Sequence, residues 1–246
     1  MIIDMHTHLW DGSFEENKRQ IMGVCERYGV SKVVVSSLGG YYPDKEEIGR
    51  LNRATYQFMR EKPSAVEGWC YVNPRHKNAS DVLKQGIEEY GMSGMKLWVA
   101  TYCDDPLVFP LVEQCAGYGV PVLIHTFYKE VGQLPYESLG SNVAALAARY
   151  PEAKLIMAHM GANCLRELKP VRPFPNVSVD TSGSISRRDD FDYAKNLLGA
   201  DRIVFGTDMP LISYLLNYGQ IEEAALTPEE KERVFSKNAL RLLERS

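Results

Sequence analysis

Two histidines one residue apart, His6 and His8, end an apolar opening run, Ile2-Ile3-Asp4-Met5-His6-Thr7-His8. Side chains of an extended strand alternate faces, so the two imidazoles project the same way, one pleat apart. Such a pair is half of a divalent-metal site. Of the five histidines, two more, His125 and His159, each close a nearly pure apolar run, Pro121-Val122-Leu123-Ile124 and Lys154-Leu155-Ile156-Met157-Ala158. Asp208 closes Ile203-Val204-Phe205-Gly206-Thr207 in the same manner. Packing does not call for an imidazole or a carboxylate at these places, and burying either without a partner is costly. A bound divalent cation offsets that cost. Lys96 lies inside another such run, Gly94-Met95-Lys96-Leu97-Trp98-Val99, whereas His76, in Arg75-His76-Lys77, reads as a satisfied polar loop residue.

These residues converge only if the fold aligns the ends of their strands. Strand signals fall at residues 1–8, 32–36, 66–72, 94–99, 121–125, 154–159, 177–180 and 202–208. Helical signals separate them at 13–28 (Ser13 as cap), 44–60, 79–90, 106–118, 138–150, near Asn163, and from Arg188 to 198. A last helix opens at Thr227-Pro228-Glu229-Glu230, with a capping threonine and proline at the first helical position, and runs to about residue 244. Strands alternating with helices imply parallel pairing through right-handed crossovers. The expectation is an α/β fold, a (β/α)8 TIM barrel forming one domain over residues 1–246 with an extra C-terminal helix. An open doubly wound sheet would place a glycine-rich phosphate loop after the first strand, and His6-Thr7-His8-Leu9-Trp10 is not one. In a barrel, strands one, four, five, six and eight deliver His6, His8, Lys96, His125, His159 and Asp208 to one mouth.

The composition agrees. Hydrophobic residues make up 45% and charged residues 24% of 246, enough for a sizeable core. A net charge of −4, with no basic run beyond Arg187-Arg188, argues against nucleic acid. No apolar run approaches the roughly 20 residues that span a bilayer, and none resembles a signal peptide, so a soluble cytoplasmic protein is expected. The five cysteines (25, 70, 103, 115 and 164) form no CxxC pair and fit buried reduced thiols. Cys103 and Cys164 follow strands and can approach a site.

Ile3-Asp4-Met5-His6-Thr7-His8 resembles the IDxHxH opening of the amidohydrolase superfamily. The runs ending in His125, in His159-Met160-Gly161 and in Asp208-Met209-Pro210 are similar to the strand-five, strand-six and strand-eight motifs of its amidohydrolase-2 branch. The tail from Leu226 to Leu243 is similar to that branch's closing helix, so the resemblance runs end to end. The branch holds aminocarboxymuconate-semialdehyde decarboxylase, related aromatic-acid decarboxylases and assorted hydrolases. By resemblance, His6, His8, His125 and Asp208 bind one divalent ion, zinc in first place and manganese next, since N/O ligands discriminate weakly. His159 stands beside the ion. A strand-four lysine is carboxylated in two-metal members; that state would make Lys96 and His159 ligands of a second ion. Lys96 otherwise stays an ammonium that meets an acidic substrate, and its GxKL-like flank favours one metal.

The leading expectation is a hydrolase of a small-molecule amide, ester or lactone acting through a metal-activated water, with Asp208 taking the water's proton and His159 as acid, base or carbonyl polariser. The alternative is a metal-dependent decarboxylase of an unsaturated or aromatic acid, against which stands the lack of an arginine clamp beside any motif. A TatD-type deoxyribonuclease fits less well, because it expects a glutamate on strand four and an ETD-like strand eight. A non-catalytic metal-binding regulator fits least. Trp10 and Trp98, with Phe127 and Tyr128, are placed to wall a planar small-molecule substrate, and the branch's habits allow a homodimer.

Overall fold

Valine-, isoleucine- and leucine-rich segments too short to be buried helices fold as a parallel sheet whose two faces are both covered. The computed structural model describes residues 1–184, 187 and 189–245. Its eight strands are β1 (Ile3–Trp10), β2 (Lys32–Leu38), β3 (Val66–Tyr71), β4 (Gly94–Leu97), β5 (Val122–Ile124), β6 (Leu155–Met157), β7 (Val177–Asp180) and β8 (Ile203–Val204). They pair in sequence order, all parallel, in one curled sheet consistent with a TIM barrel. Helices α1 (Phe14–Tyr28), α2 (Lys45–Glu61), α3 (Ala79–Glu88), α4 (Phe109–Tyr118), α5 (Gly140–Arg149), α6 (Cys164–Val171), α7 (Asp190–Leu198) and α8 (Tyr214–Glu223) follow the strands in turn. No helix of the described residues is long and apolar enough to cross a membrane.

Several expectations need adjustment. Strands β5, β6 and β8 are shorter than their apolar runs, so His125, His159 and Asp208 stand beyond strand ends rather than in them. Helix α8 carries no clean apolar stripe, so no helical signal marks it in the sequence. Ser13 precedes α1 without a side-chain cap bond, while Asp44 caps α2 through Glu47 N at 2.9 Å. Thr227 and Glu230 form the expected capping box of α9 (Pro228–Glu232), which continues through a π turn into α10 (Asn238–Leu243). The expected start of the seventh helix at Arg188 lies outside the described residues; α7 begins at Asp190.

Alternation sorts the core into two layers. Val33, Val35, Met95, Leu97, Val122, Ile124, Leu155 and Met157 pack outward against the helices. Ile3, Met5, Val34, Trp69, Leu123, Ile156 and Val204 fill the inside, with Ala239 and Leu242 of α10 packed against them. Strict alternation cannot place Ile3 and Met5 on the same face as His6 and His8. A register shift in β1 between Asp4 and Thr7 supplies the change of face.

The first strand also meets the chain that follows β8. Met5 N donates to Phe205 O at 2.9 Å, Asp208 N to His6 O at 2.8 Å and His8 N to Met209 O at 2.9 Å. Asp4 holds this seam from within. Its buried carboxylate accepts from Thr207 Oγ1 (2.6 Å), Thr207 N (3.1 Å) and His6 N (3.1 Å). Burial raises its pKa from 3.8 to about 7, against the lowering effect of those donors. A folded value above the unfolded one means stability that is complete at acid pH and lost as pH rises through 7. The stability of the wild type relative to Asp4→Asn is therefore expected to fall between pH 4 and 7.5, read from urea midpoints. Asp4→Ala leaves three donors without an acceptor and is expected to cost about 2–4 kcal/mol; a cost below about 0.5 kcal/mol would show that the seam does not rest on Asp4.

Candidate active site

The ring of His6, wholly buried, is the centre of the cluster. Its Nδ1 lies 2.8 Å from Asp180 Oδ2 and 2.9 Å from Ser182 Oγ. A carboxylate only accepts, so Nδ1 carries the hydrogen and Nε2 keeps its lone pair. That Nε2 stands 3.0 Å from His8 Nε2, 2.9 Å from Lys96 Nζ and 3.9 Å from Asp208 Oδ1. His8 Nδ1 faces the Ser36 carbonyl at 3.2 Å, and donating there leaves a second lone pair on Nε2, 3.0 Å from Asp208 Oδ1. Two lone pairs and one anionic oxygen thus converge on one point. Ligands about 2.0–2.2 Å from a tetrahedral cation stand roughly 3.0–3.5 Å apart. The two separations from His8 Nε2 meet this at 3.0 Å, and the third, His6 Nε2 to Asp208 Oδ1 at 3.9 Å, needs a small inward movement to hold a divalent ion. The backing of His6 by Asp180 is the arrangement that orients and strengthens an imidazole ligand.

The local fold explains why the donors meet. The shift in β1 turns both histidines inward. Gly206 allows the chain after β8 to press on them, since a Cβ there would meet His6 Cβ at 3.0 Å and Asp180 Cβ at 3.3 Å. Asp208 follows with φ of 66°, an uncommon conformation for a residue with a side chain. Burial would raise the Asp208 pKa, but the contact with His8 and the other imidazoles outweigh it and hold the carboxyl well below the usual range. Burial pushes His6 well below its ordinary value, helped by the Lys96 ammonium. Lys96 lies between the outward-packing Met95 and Leu97 and therefore faces inside, where burial lowers it to about 8.

His159 and His125 form an adjoining arm. His159 sits in a 3-10 turn, Ala158–Gly161, with φ of 60° rather than at a strand end. Its backbone N–H donates to Asp180 Oδ1 at 2.8 Å and its Nδ1 lies 2.8 Å from Ser182 Oγ. Burial lowers it to about 4. His125 does not join His6, His8 and Asp208: its Nδ1 is 3.1 Å from His159 Nε2 and its Nε2 is 2.9 Å from Glu137 Oε1. A second donor group, His6, His159 and Asp180, is bridged by the Ser182 hydroxyl and reads as a hydrogen-bonded network rather than a second ion site. His76 pairs with Asn73 away from the cluster, and all five cysteines are free and buried.

A cavity of about 260 Å³ opens over the cluster, walled by Trp10, Tyr41, Trp98 and Phe127, with His8, His159 and Asp208 at its base. The expected tryptophans therefore do line it; Tyr128 stacks under Arg166 instead. Four residues escaped the reading of the sequence: Asp180, Ser182, Glu137 and Lys129. Asp180 carried a visible signal, since it ends the strand-like run Val177-Ser178-Val179 as Asp208 ends its own.

The amidohydrolase family profile matches residues 3–245. The chain belongs to that family. It is an enzyme of the amidohydrolase superfamily whose solved structural neighbours share its fold at low identity. The 5-carboxyvanillate decarboxylase from Sphingomonas paucimobilis superposes with a TM-score of 0.78 at 16% identity, covering 100% of this chain and 99% of that one. A dihydroxybenzoic acid decarboxylase from Polaromonas sp., with bound manganese and 2-nitroresorcinol, gives 0.76 at 18%, over 98% and 96%. The 4-oxalomesaconate hydratase from Rhodopseudomonas palustris gives 0.70 at 19%, over 99% and 95%. No curated protein matches the sequence.

Replacing Asp180 frees the His6 ring to rotate. Asp180→Ala is expected to weaken binding of Mn²⁺ or Zn²⁺ about 10–100-fold, measured by equilibrium dialysis with metal analysis. Unchanged affinity would mean that His6 is held by packing alone.

Proposed function

We propose that this enzyme is a metal-dependent decarboxylase of a small, planar, unsaturated or aromatic acid. The observation that carries the reading is the aromatic-walled cavity lying directly over His8 and Asp208. Trp10 and Trp98 pack edge to face with ring centres 6.1 Å apart and Phe127 stacks on His125, so the cavity wall is an aromatic surface that suits an unsaturated or aromatic acid. The decarboxylases of planar acids among the structural neighbours support the same reading. In it the chain is one (β/α)8 barrel closed by the bonds between residues 5–8 and 205–209, with α9 and α10 as its additional C-terminal segment.

His6, His8 and Asp208 would hold one divalent ion, and His125, which stands apart from them with its Nδ1 lone pair turned inward beside His159, would supply the fourth donor by closing toward them. The nitrogen and oxygen donors accept manganese or zinc. An ion held there would supply a Lewis acid able to withdraw charge from substrate oxygens. Decarboxylation breaks the bond between a ring or alkene carbon and the carboxyl carbon, and the electron pair stays on the former. That carbon needs a proton in place of carbon dioxide. His159 lines the cavity with Nδ1 braced by Ser182 and is the side chain placed to relay that proton from solvent; burial keeps the ring neutral at rest, so it carries the proton only in transit. Lys129 is the ammonium on the wall and draws the anionic acid in, and the buried Lys96 ammonium beside His6 adds positive potential. Lys96 acts here uncarboxylated, in a one-metal site.

One feature favours a second reading, hydrolysis of an amide, ester or lactone. Asp208 is held ionised at the mouth, where a carboxylate can take a proton from an attacking water. A panel of 2,6-dihydroxybenzoate, 5-carboxyvanillate, simple lactones and aryl esters, assayed with added Mn²⁺ or Zn²⁺, separates the two. Carbon dioxide release that chelation abolishes and metal restores is expected. Lactone or ester hydrolysis without carbon dioxide release would overturn the decarboxylase. His159→Gln is expected to lower kcat about 10²–10⁴-fold while Mn²⁺ still binds.

A further inference from the structure

The segment from Phe127 to Ser138, between β5 and α5, leaves and returns to the sheet at one place. Thr126 bridges Ser138, and Phe127 N donates to Ser138 O at 3.3 Å. Inside this excursion lies Glu137, only 2% exposed although its neighbours Gln133 and Tyr136 are at the surface. Its carboxylate collects donors from its own loop: Lys129 Nζ at 2.6 and 2.5 Å, Gln133 Nε2 at 2.7 Å and Leu134 N at 3.3 Å. The remaining bond leaves the loop and reaches His125 Nε2 at 2.9 Å. A buried carboxylate with this many donors is fixed in place, and burying it would be costly without them.

We infer that Glu137 is a positioning residue that makes His125 a competent ligand and ties it to the loop roofing the cavity. Because the carboxylate only accepts, His125 must donate from Nε2, which leaves the Nδ1 lone pair turned inward, 3.1 Å from His159 Nε2. The opposite tautomer would aim a hydrogen at the interior and a lone pair at Glu137. Glu137 therefore settles which nitrogen of His125 faces the donor cluster, as Asp180 does for His6. Lys129 lines the cavity and spans both Glu137 oxygens, so a substrate carboxylate that engages Lys129 acts on the same carboxylate that orients His125. Substrate and metal sites are thereby linked through one side chain. The inference rests on the reading that His6, His8 and Asp208 hold a divalent ion joined by His125.

The test titrates Mn²⁺ into metal-stripped full-length protein and follows the free-ion electron paramagnetic resonance signal. Four forms are compared: wild type, Glu137→Gln, His125→Gln and the double variant, each with its melting temperature before metal is added. Glu137→Gln is expected to weaken the Mn²⁺ Kd about 10–100-fold, and to add nothing in the His125→Gln background, because it acts through that ring. A Kd within twofold of wild type overturns the inference, whatever the melting temperature does. Equal further weakening in the His125→Gln background also overturns it, since that is the mark of a general structural role. Glu137→Asp, which keeps the charge, is expected to recover part of the affinity. His8→Ala is run alongside: if it leaves Mn²⁺ binding intact, the metal reading itself has failed, whereas loss of binding there with an unaffected Glu137→Gln sinks this inference alone.

Discussion

The site depends on one imidazole whose two nitrogens do different work. His6 gives its Nδ1 hydrogen to Asp180 and turns its Nε2 lone pair to His8, Lys96 and Asp208. Neither side works alone. Without Asp180 the ring could present a hydrogen to the donor cluster, and a donor hydrogen cannot ligate a cation. Without the convergence of His8 and Asp208 the oriented lone pair would have nothing to share. The buried surroundings make both requirements strict, because a misdirected polar group there has no water to turn to.

Much of this is legible in the residue order, for a physical reason. Strands buried on both faces are nearly pure hydrocarbon, so a histidine or aspartate ending one stands out against its background. His6, His8, His125, His159 and Asp208 all announce themselves so, and they do gather at one end of the sheet, four of the five lining the cavity. Equivalent positions on parallel strands meet whatever their separation in sequence, which is why the fold could be read together with the site.

What escaped has its own logic. Ser182 and Glu137 lie in loops, where polar residues are expected and none stands out. Their importance comes from what they touch, 176 residues away for Ser182 and His6, and 12 for Glu137 and His125. Pattern along the chain cannot reveal such pairs. The position of His125 illustrates the point: the run before it marks the residue, but its orientation is set by the loop carboxylate. The left-handed turn at His159 was hidden likewise, since Ala158-His159-Met160 carries no glycine before Gly161 and the strain is met by hydrogen bonds that His159 N donates to Asp180 and Thr126 Oγ1 donates to Ala158 O.

The register shift in β1 has a consequence for how this segment tolerates change. Below it, Ile3 and Met5 belong to the hydrocarbon interior; above it, His6 and His8 belong to the polar mouth. Eight residues thus serve as a seam between two solvents, one oily and one ionic, with no loop spent on the transition. Alterations below the shift act as alterations of a core, and alterations above it as alterations of a reagent. Inserting or deleting one residue at the junction would turn one half over relative to the other, so that with Ile3 and Met5 kept in the interior His6 and His8 would face the helices. The opening strand is in that sense a hinge of chemical character, and its length in residues is as much a part of the enzyme as their identity.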